Sequence, residues 1–153
     1  MRKVIVFLFL ASCSHQDVIK LTDKKLEGKK EVALTTNDSG VWLYKLIAEI
    51  EKQGVSVKRT SSTGETTITE NGKSFKYEQS ASRYILSINA NIDYARRCFG
   101  GGHTFNNLSL EVFDSQENKG VAMFTDSGYS EGCPPAISSM FEDLAKNVRS
   151  LWD

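Results

Sequence analysis

The sequence predicts an α+β domain, a mostly antiparallel sheet with two helices, at about 39–53 and 136–152, packed on one face. Three observations lead there. Residues 31–59 read as strand, helix, strand; residues 82–125 contain three segments of alternating apolar and polar side chains; and residues 137–152 place apolar side chains at helical spacing. The 153 residues, 40% hydrophobic and 25% charged, match one ordinary domain with a core of its own.

The chain opens on Met1-Arg2-Lys3 and an apolar run from Val4 to Leu10. That run falls far below the roughly 20 residues of a spanning helix, and it fits a secretory signal. Leu10-Ala11-Ser12-Cys13 follows and resembles the lipobox of bacterial lipoproteins: an apolar residue, two small residues, then cysteine. The resemblance implies a signal peptide over 1–12, diacylglycerol on the Cys13 thiol and an acyl chain (palmitate, for example) on its new amino group. Several acyl chains, at about 0.8 kcal/mol per buried methylene, hold a protein stably on a membrane. Ser14 rather than Asp after the cysteine implies sorting to the outer membrane, facing the periplasm.

Once Cys13 is taken as the lipid site, the resemblance leaves Cys98 and Cys133 as a pair in an oxidising compartment, where cysteines normally cross-link. A Cys98–Cys133 disulfide is expected, against the competing reading of two free thiols. Residues 13–30 contain Lys20, Lys24, Lys25, Lys29 and Lys30 and read as a tether, although Val18, Ile19 and Leu21 would suit a short edge strand. The domain proper is expected over 31–153.

Glu31 to Thr36 reads as the first strand of that domain. Asn37-Asp38-Ser39 offers side-chain oxygens that suit a helix cap. Trp42, Leu43, Leu46, Ile47 and Ile50 then share one helical face, and Gly54 suits the helix end. Val55 to Arg59 alternates as the next strand, completing a βαβ unit. Asn71-Gly72 between Thr66–Glu70 and Lys73–Tyr77 is a strong hairpin signal. Over 82–94, Tyr84, Leu86, Ile88, Ala90, Ile92 and Tyr94 take one face, and Ser87, Asn89, Asn91 and Asp93 the other. Leu108, Leu110 and Val112 alternate again, and Gly120 to Thr125 returns as their partner. Pro134 and Pro135 precede the final stripe of Ile137, Met140, Phe141, Leu144, Ala145, Val148, Leu151 and Trp152.

Chemistry is sparse. The 19 basic and 19 acidic residues balance, and loss of Arg2 and Lys3 with the signal leaves 17 against 19. Nothing in this charge favours nucleic acid. No metal-ligand spacing and no cofactor signature is present, and no catalytic residue is assigned. His103 reads as an exposed loop histidine, and Gly100-Gly101-Gly102 as a turn rather than a phosphate loop. The best surface lies in the loops at 96–103 and 127–135. A disulfide there would gather Arg96, Arg97, Phe99, His103 and Tyr129 into a candidate patch for a partner protein. The competing reading is a bridge that only ties a glycine-rich loop to the last helix.

The order of elements is similar to small periplasmic α/β domains such as the amino-terminal domain of the Tol translocation protein. A hairpin at 65–79 stands where those domains often carry a second helix. The likeness carries over no functional residue. The expectation for function is therefore a non-enzymatic accessory or assembly factor, anchored by lipid to the outer membrane and binding another envelope protein. The alternative is an inhibitor or sensor module that captures an enzyme or small glycan through the loops at 96–103 and 127–135.

The disulfide expectation is checked by mass spectrometry of the unreduced mature protein. Alkylation should leave Cys98 and Cys133 unmodified until a reductant is added, and the bridge should contribute about 3–4 kcal/mol to stability.

Overall fold

Alternation in strands and helical spacing in two segments build a sheet with one covered face. A computed structural model describes residues 16–59, 65–70, 73–78, 82–97, 102–130 and 138–153. In chain order these contain β1 (Asp17–Lys20), β2 (Glu31–Thr36), α1 (Val41–Lys52), β3 (Ser56–Arg59), β4 (Glu65–Glu70), β5 (Lys73–Glu78), β6 (Tyr84–Arg97), β7 (His103–Asp114), β8 (Lys119–Tyr129) and α2 (Met140–Arg149). Six strands form one sheet in the order β1-β8-β7-β6-β2-β3, and β4 and β5 pair separately.

The α+β class holds, and the sheet is mixed. The pairings β1–β8, β8–β7 and β7–β6 are antiparallel, whereas β2 is parallel to both β6 and β3. The parallel part follows from the βαβ unit, because α1 carries the chain back to the starting end before β3 begins. In the separate hairpin Glu70 pairs with Lys73, which leaves the two residues 71–72 as the connection.

The register lines the apolar residues up in rows across the sheet. Leu34, Leu86, Val112 and Ala122 form one row, and Ile88, Leu110 and Phe124 form the next. All are buried, and α1 covers them with Trp42, Leu43, Leu46, Ile47 and Ile50. From α2, Met140, Phe141, Leu144, Ala145 and Val148 join the same core. Both helices thus pack on one face, as their single apolar stripes require. The opposite face carries Ser87, Asn89 and Asn91, of which the two asparagines are exposed.

Local differences have local causes. The first helix starts at Val41, after a Gly40 cap that makes no side-chain hydrogen bond, so Asn37, Asp38 and Ser39 do not cap it. Glycine is required at position 40 because a Cβ there would come within 2.6 Å of the Trp42 ring. Gly54 has φ +81°, as its place after the helix demands. The second helix begins at Met140 and ends at Arg149, and residues 136–137 of its expected start lie outside the described residues. Tyr94 is 68% exposed rather than on the core face. Register shifts at Asn91/Ile92 and Asp93/Arg97 break the alternation before it can bring Tyr94 inward.

The segment read as a tether is, from Asp17 onward, laid against the domain. The β1 strand pairs with β8 from Asp17↔Thr125 to Lys20↔Ala122. The strap after it is held by Leu21 N–H to Val121 O (2.9 Å) and Leu26 N–H to Leu151 O (2.7 Å). The Tyr84 hydroxyl accepts from the Glu27 amide at 3.0 Å. Leu26 is buried, and one apolar residue at this spot outweighs the local excess of lysine.

Truncation should separate the two faces of β6. Leu86→Ala is expected to cost about 2–5 kcal/mol in a denaturant melt, and Asn89→Ala on the open face less than about 0.5 kcal/mol.

Candidate functional site

The candidate patch is built at one end of the sheet, where β6, β7 and β8 meet. Arg97 pairs with His103, and Thr104 pairs with Tyr129. The Thr104 hydroxyl donates to the Arg96 carbonyl at 2.8 Å. Arg96, His103 and Tyr129 therefore come to one end of the sheet, with Tyr129 on the face of Thr104 and His103 on the opposite face, that of Phe105. They stand on strands rather than in loops, because the antiparallel ladder continues to Arg97 and Tyr129. Arg96 is exposed and pairs with Asp93 at 3.5 Å. His103 is half-buried, with its ring 6.4 Å from that of Phe105. Beneath it Trp42, Phe105 and Phe141 form an edge-to-face chain, with centroids 5.2 and 6.0 Å apart. Cys13, Cys98, Phe99 and Cys133, and the side chain of Arg97, lie outside the described residues.

Sequence reasoning passed over one pattern here. Gly128-Tyr129-Ser130-Glu131-Gly132 has the Gly-x-Ser-x-Gly spacing of a hydrolase nucleophile elbow. An elbow needs its serine hydroxyl presented to a histidine ring. Ser130 is instead buried, and its Oγ accepts from the backbone amide of His103 at 2.9 Å. The Ser130 amide donates back to the His103 carbonyl at 2.9 Å. This reciprocal pair closes the ladder between β7 and β8, and it engages the hydroxyl with main chain rather than imidazole. Beyond it the Ser138 hydroxyl donates to the Tyr129 carbonyl, which ties the start of α2 to the same corner.

A buried carboxylate stands in the covered face nearby. Ala90, Leu108 and Asp126 form the third row, so Asp126 occupies a position where the two previous rows have apolar residues. Its Oδ1 accepts from the Ser127 amide at 2.7 Å. Burial pushes this carboxyl above its ordinary value; the Ser127 bond opposes that, and the charge of Asp143 adds to it.

At the other end of the sheet a cavity of about 310 Å³ opens beneath the strap, between Lys24, Leu26, Tyr84 and Lys119. Its floor holds Arg83, whose Nε and Nη2 donate to Asp114 Oδ2 at 2.9 and 2.7 Å. The amides of Gln116 and Glu117 donate to Asp114 Oδ1. Burial raises the Asp114 carboxyl, and the Arg83 and backbone hydrogen bonds more than offset this, holding it below the usual carboxylate range. The stability it supplies is present above the ordinary carboxylate range and is lost as pH falls through the lowered value. No cluster of three or more His, Cys, Asp or Glu arranged to hold a metal occurs among the described residues. No helix among them is long and apolar enough to cross a membrane.

No family model matches the chain, and no curated protein matches it. Among solved structures it is similar to the PelC dodecamer from Paraburkholderia phytofirmans. A single-substitution variant of that protein gives a TM-score of 0.51 at 14% identity, over 88% of this chain and 98% of that one. A second crystal form gives 0.50 at 13% identity with the same coverage. At this identity the likeness shows a shared fold.

Asp126→Asn tests the buried carboxylate. The folded state holds the Asp126 proton more tightly than the unfolded chain does, so its ionisation destabilises the fold as pH rises above about 3.9 and through the raised value. The asparagine variant should match the parent near pH 3 and exceed it in melting temperature at pH 7. An equal or lower melting temperature at pH 7 would contradict the assignment.

Proposed function

We propose that this chain is a lipid-anchored, non-enzymatic component of the bacterial envelope, on the periplasmic side of the outer membrane. It serves there as an accessory or assembly factor that docks another envelope protein. The observation that carries the reading is the sequence Leu10-Ala11-Ser12-Cys13 standing four residues before the first residue of an edge strand, Asp17. Four residues span at most about 14 Å, so an acylated Cys13 would hold the domain close to the bilayer surface.

The corner formed by Arg96, His103 and Tyr129 supports a docking role. His103 stands beside the buried aromatic chain of Phe105, and Tyr94 stands exposed on the same strand as Arg96. Exposed tyrosine and arginine on a fixed scaffold are good material for an interface. The engagement of Ser130 Oγ by a backbone amide supports a structural rather than a hydrolytic role for that serine. The PelC neighbour was crystallised as a dodecamer, and its likeness in fold supports a reading in which this chain also associates with itself.

Cys13→Ala tests the anchor. The variant should leave the membrane fraction and appear among soluble envelope proteins, with an unchanged thermal melt of the domain. Continued sedimentation with membranes would remove the main support for the proposal.

A further inference from the structure

We propose that the cavity under the strap binds a phosphate monoester, independently of how the chain is anchored. The strap from Leu21 to Glu27 forms its roof, and its walls come from the start of β6, the turn after β7 and the start of β8. At about 310 Å³ it has the size of a small-ligand cleft, which runs from about 300 to 1,000 Å³.

The roof is laid closely and held at several points. A Cβ at Gly120 would come within 2.8 Å of Leu21 Cδ1, so the strap lies directly on β8 there. The Lys24 amide donates to Thr22 Oγ1 at 3.1 Å and turns the chain at the rim. Farther along, the Tyr84 hydroxyl accepts from the Glu27 amide and donates to the Glu27 carbonyl at 3.3 Å. The Arg83 guanidinium packs over the Tyr84 ring, 5.2 Å from its centroid. Leu26 and Val121, both buried, supply an apolar wall.

Charge decides what fits. Arg83 is engaged by acids, Asp114 at 2.7 Å and Glu117 at 3.6 Å. Both oxygens of Asp114 are taken, by Arg83 and by the amides of Gln116 and Glu117. Lys24, Lys25 and Lys119 line the same space, are exposed, and make no ion pair among the described residues. Glu27 is the one lining carboxylate equally without a cation there. The lining as a whole is net positive, and its excess sits on three flexible ammonium groups at the rim. Lys24 and Lys25 come from the strap and Lys119 from β8, so the group that serves them must accept hydrogen bonds from two sides. A carboxylate is flat and carries one charge. A phosphate monoester carries a charge of about −1.5 to −2 near neutral pH and presents three terminal oxygens, which suits such donors better. Its organic part then meets Leu26 and Val121. Bound in this way, the phosphate bridges the strap to β8. A soluble ester and a lipid headgroup present the same terminal group.

The test titrates the full chain in detergent with glycerol 3-phosphate, followed by calorimetry and thermal melt. Binding should saturate, raise the melting temperature and slow tryptic cleavage after Lys24 and Lys25, and glycerol alone should do none of these. Lys24→Gln and Lys119→Gln should each weaken binding about tenfold. Lys29→Gln, on the same segment but outside the cavity, should leave it unchanged. Absence of saturable binding, or equal weakening by Lys29→Gln, would overturn the proposal. To distinguish the sources, the Cys13→Ala chain is mixed with phosphatidylcholine vesicles, with and without phosphatidic acid. Co-sedimentation that needs phosphatidic acid and is lost in Lys119→Gln supports a lipid headgroup. Binding of glycerol 3-phosphate without vesicle capture supports a soluble ester. This arm lacks the Cys13 thiol, so its result is separate from that of the anchor.

Discussion

The structure depends on burying one face of the six-stranded sheet and only one. The rows Leu34–Leu86–Val112–Ala122 and Ile88–Leu110–Phe124 make a continuous apolar surface that neither helix covers alone. Because side chains alternate, sliding any central strand by one residue would move its row to the wet face. Burial therefore fixes the register, and the register fixes everything at the ends of the strands. The corner of Arg96, His103 and Tyr129 exists because β6, β7 and β8 are held in this alignment and run on to their last pairs.

The same constraint explains where polar groups are buried. As the rows approach the corner, the apolar pattern runs out and Asp126 takes the position after Ala122 and Phe124. Its raised proton affinity is the consequence of placing a carboxyl in a surface built for apolar side chains. Arg83 and Asp114 show the opposite solution at the far end. There the carboxylate receives a guanidinium and two backbone amides, and the pair closes the turn between β7 and β8. Buried polar groups at both ends mark the limits of the apolar rows.

Legibility in the sequence followed the strength of these constraints. The faces of α1 and α2, β2 to the residue, and the hairpin register about Asn71-Gly72 were all readable, because burial or turn chemistry sets each one locally. The strands β6, β7 and β8 were read in the right order but too short. Their last pairs are held by neighbours distant in sequence, such as Thr104 with Arg96 and Ser130 with His103. Of the candidate patch, Arg96, His103 and Tyr129 were expected together through a Cys98–Cys133 disulfide; the strand pairing brings them to one end of the sheet without reference to that bridge, whose cysteines lie outside the described residues. The exposure of Tyr94 was not legible, since nothing in the residues around it announces a register shift. The strap over 21–30 was missed because its attachment rests on Leu26, on main-chain bonds to Val121 and Leu151 and on the hydroxyl of the distant Tyr84, and such bonds leave no mark in a lysine-rich sequence.

That strap changes how an anchor would act on the domain. The β1 strand has four pairs with β8 and all four of its side chains exposed, so it buries no side chain in the core. From Leu26 onward the chain is fixed by a buried side chain and by bonds to Leu151 and Tyr84. Tension applied before Asp17 therefore loads the weakest part of the sheet first and stops at the strap. With β1 paired, a membrane link at Cys13 is four residues long; with β1 released, it is thirteen residues, or up to about 45 Å. Release would also expose the edge of β8 in place of β1. The four residues of β1 would thus set the distance between an anchor at Cys13 and the domain.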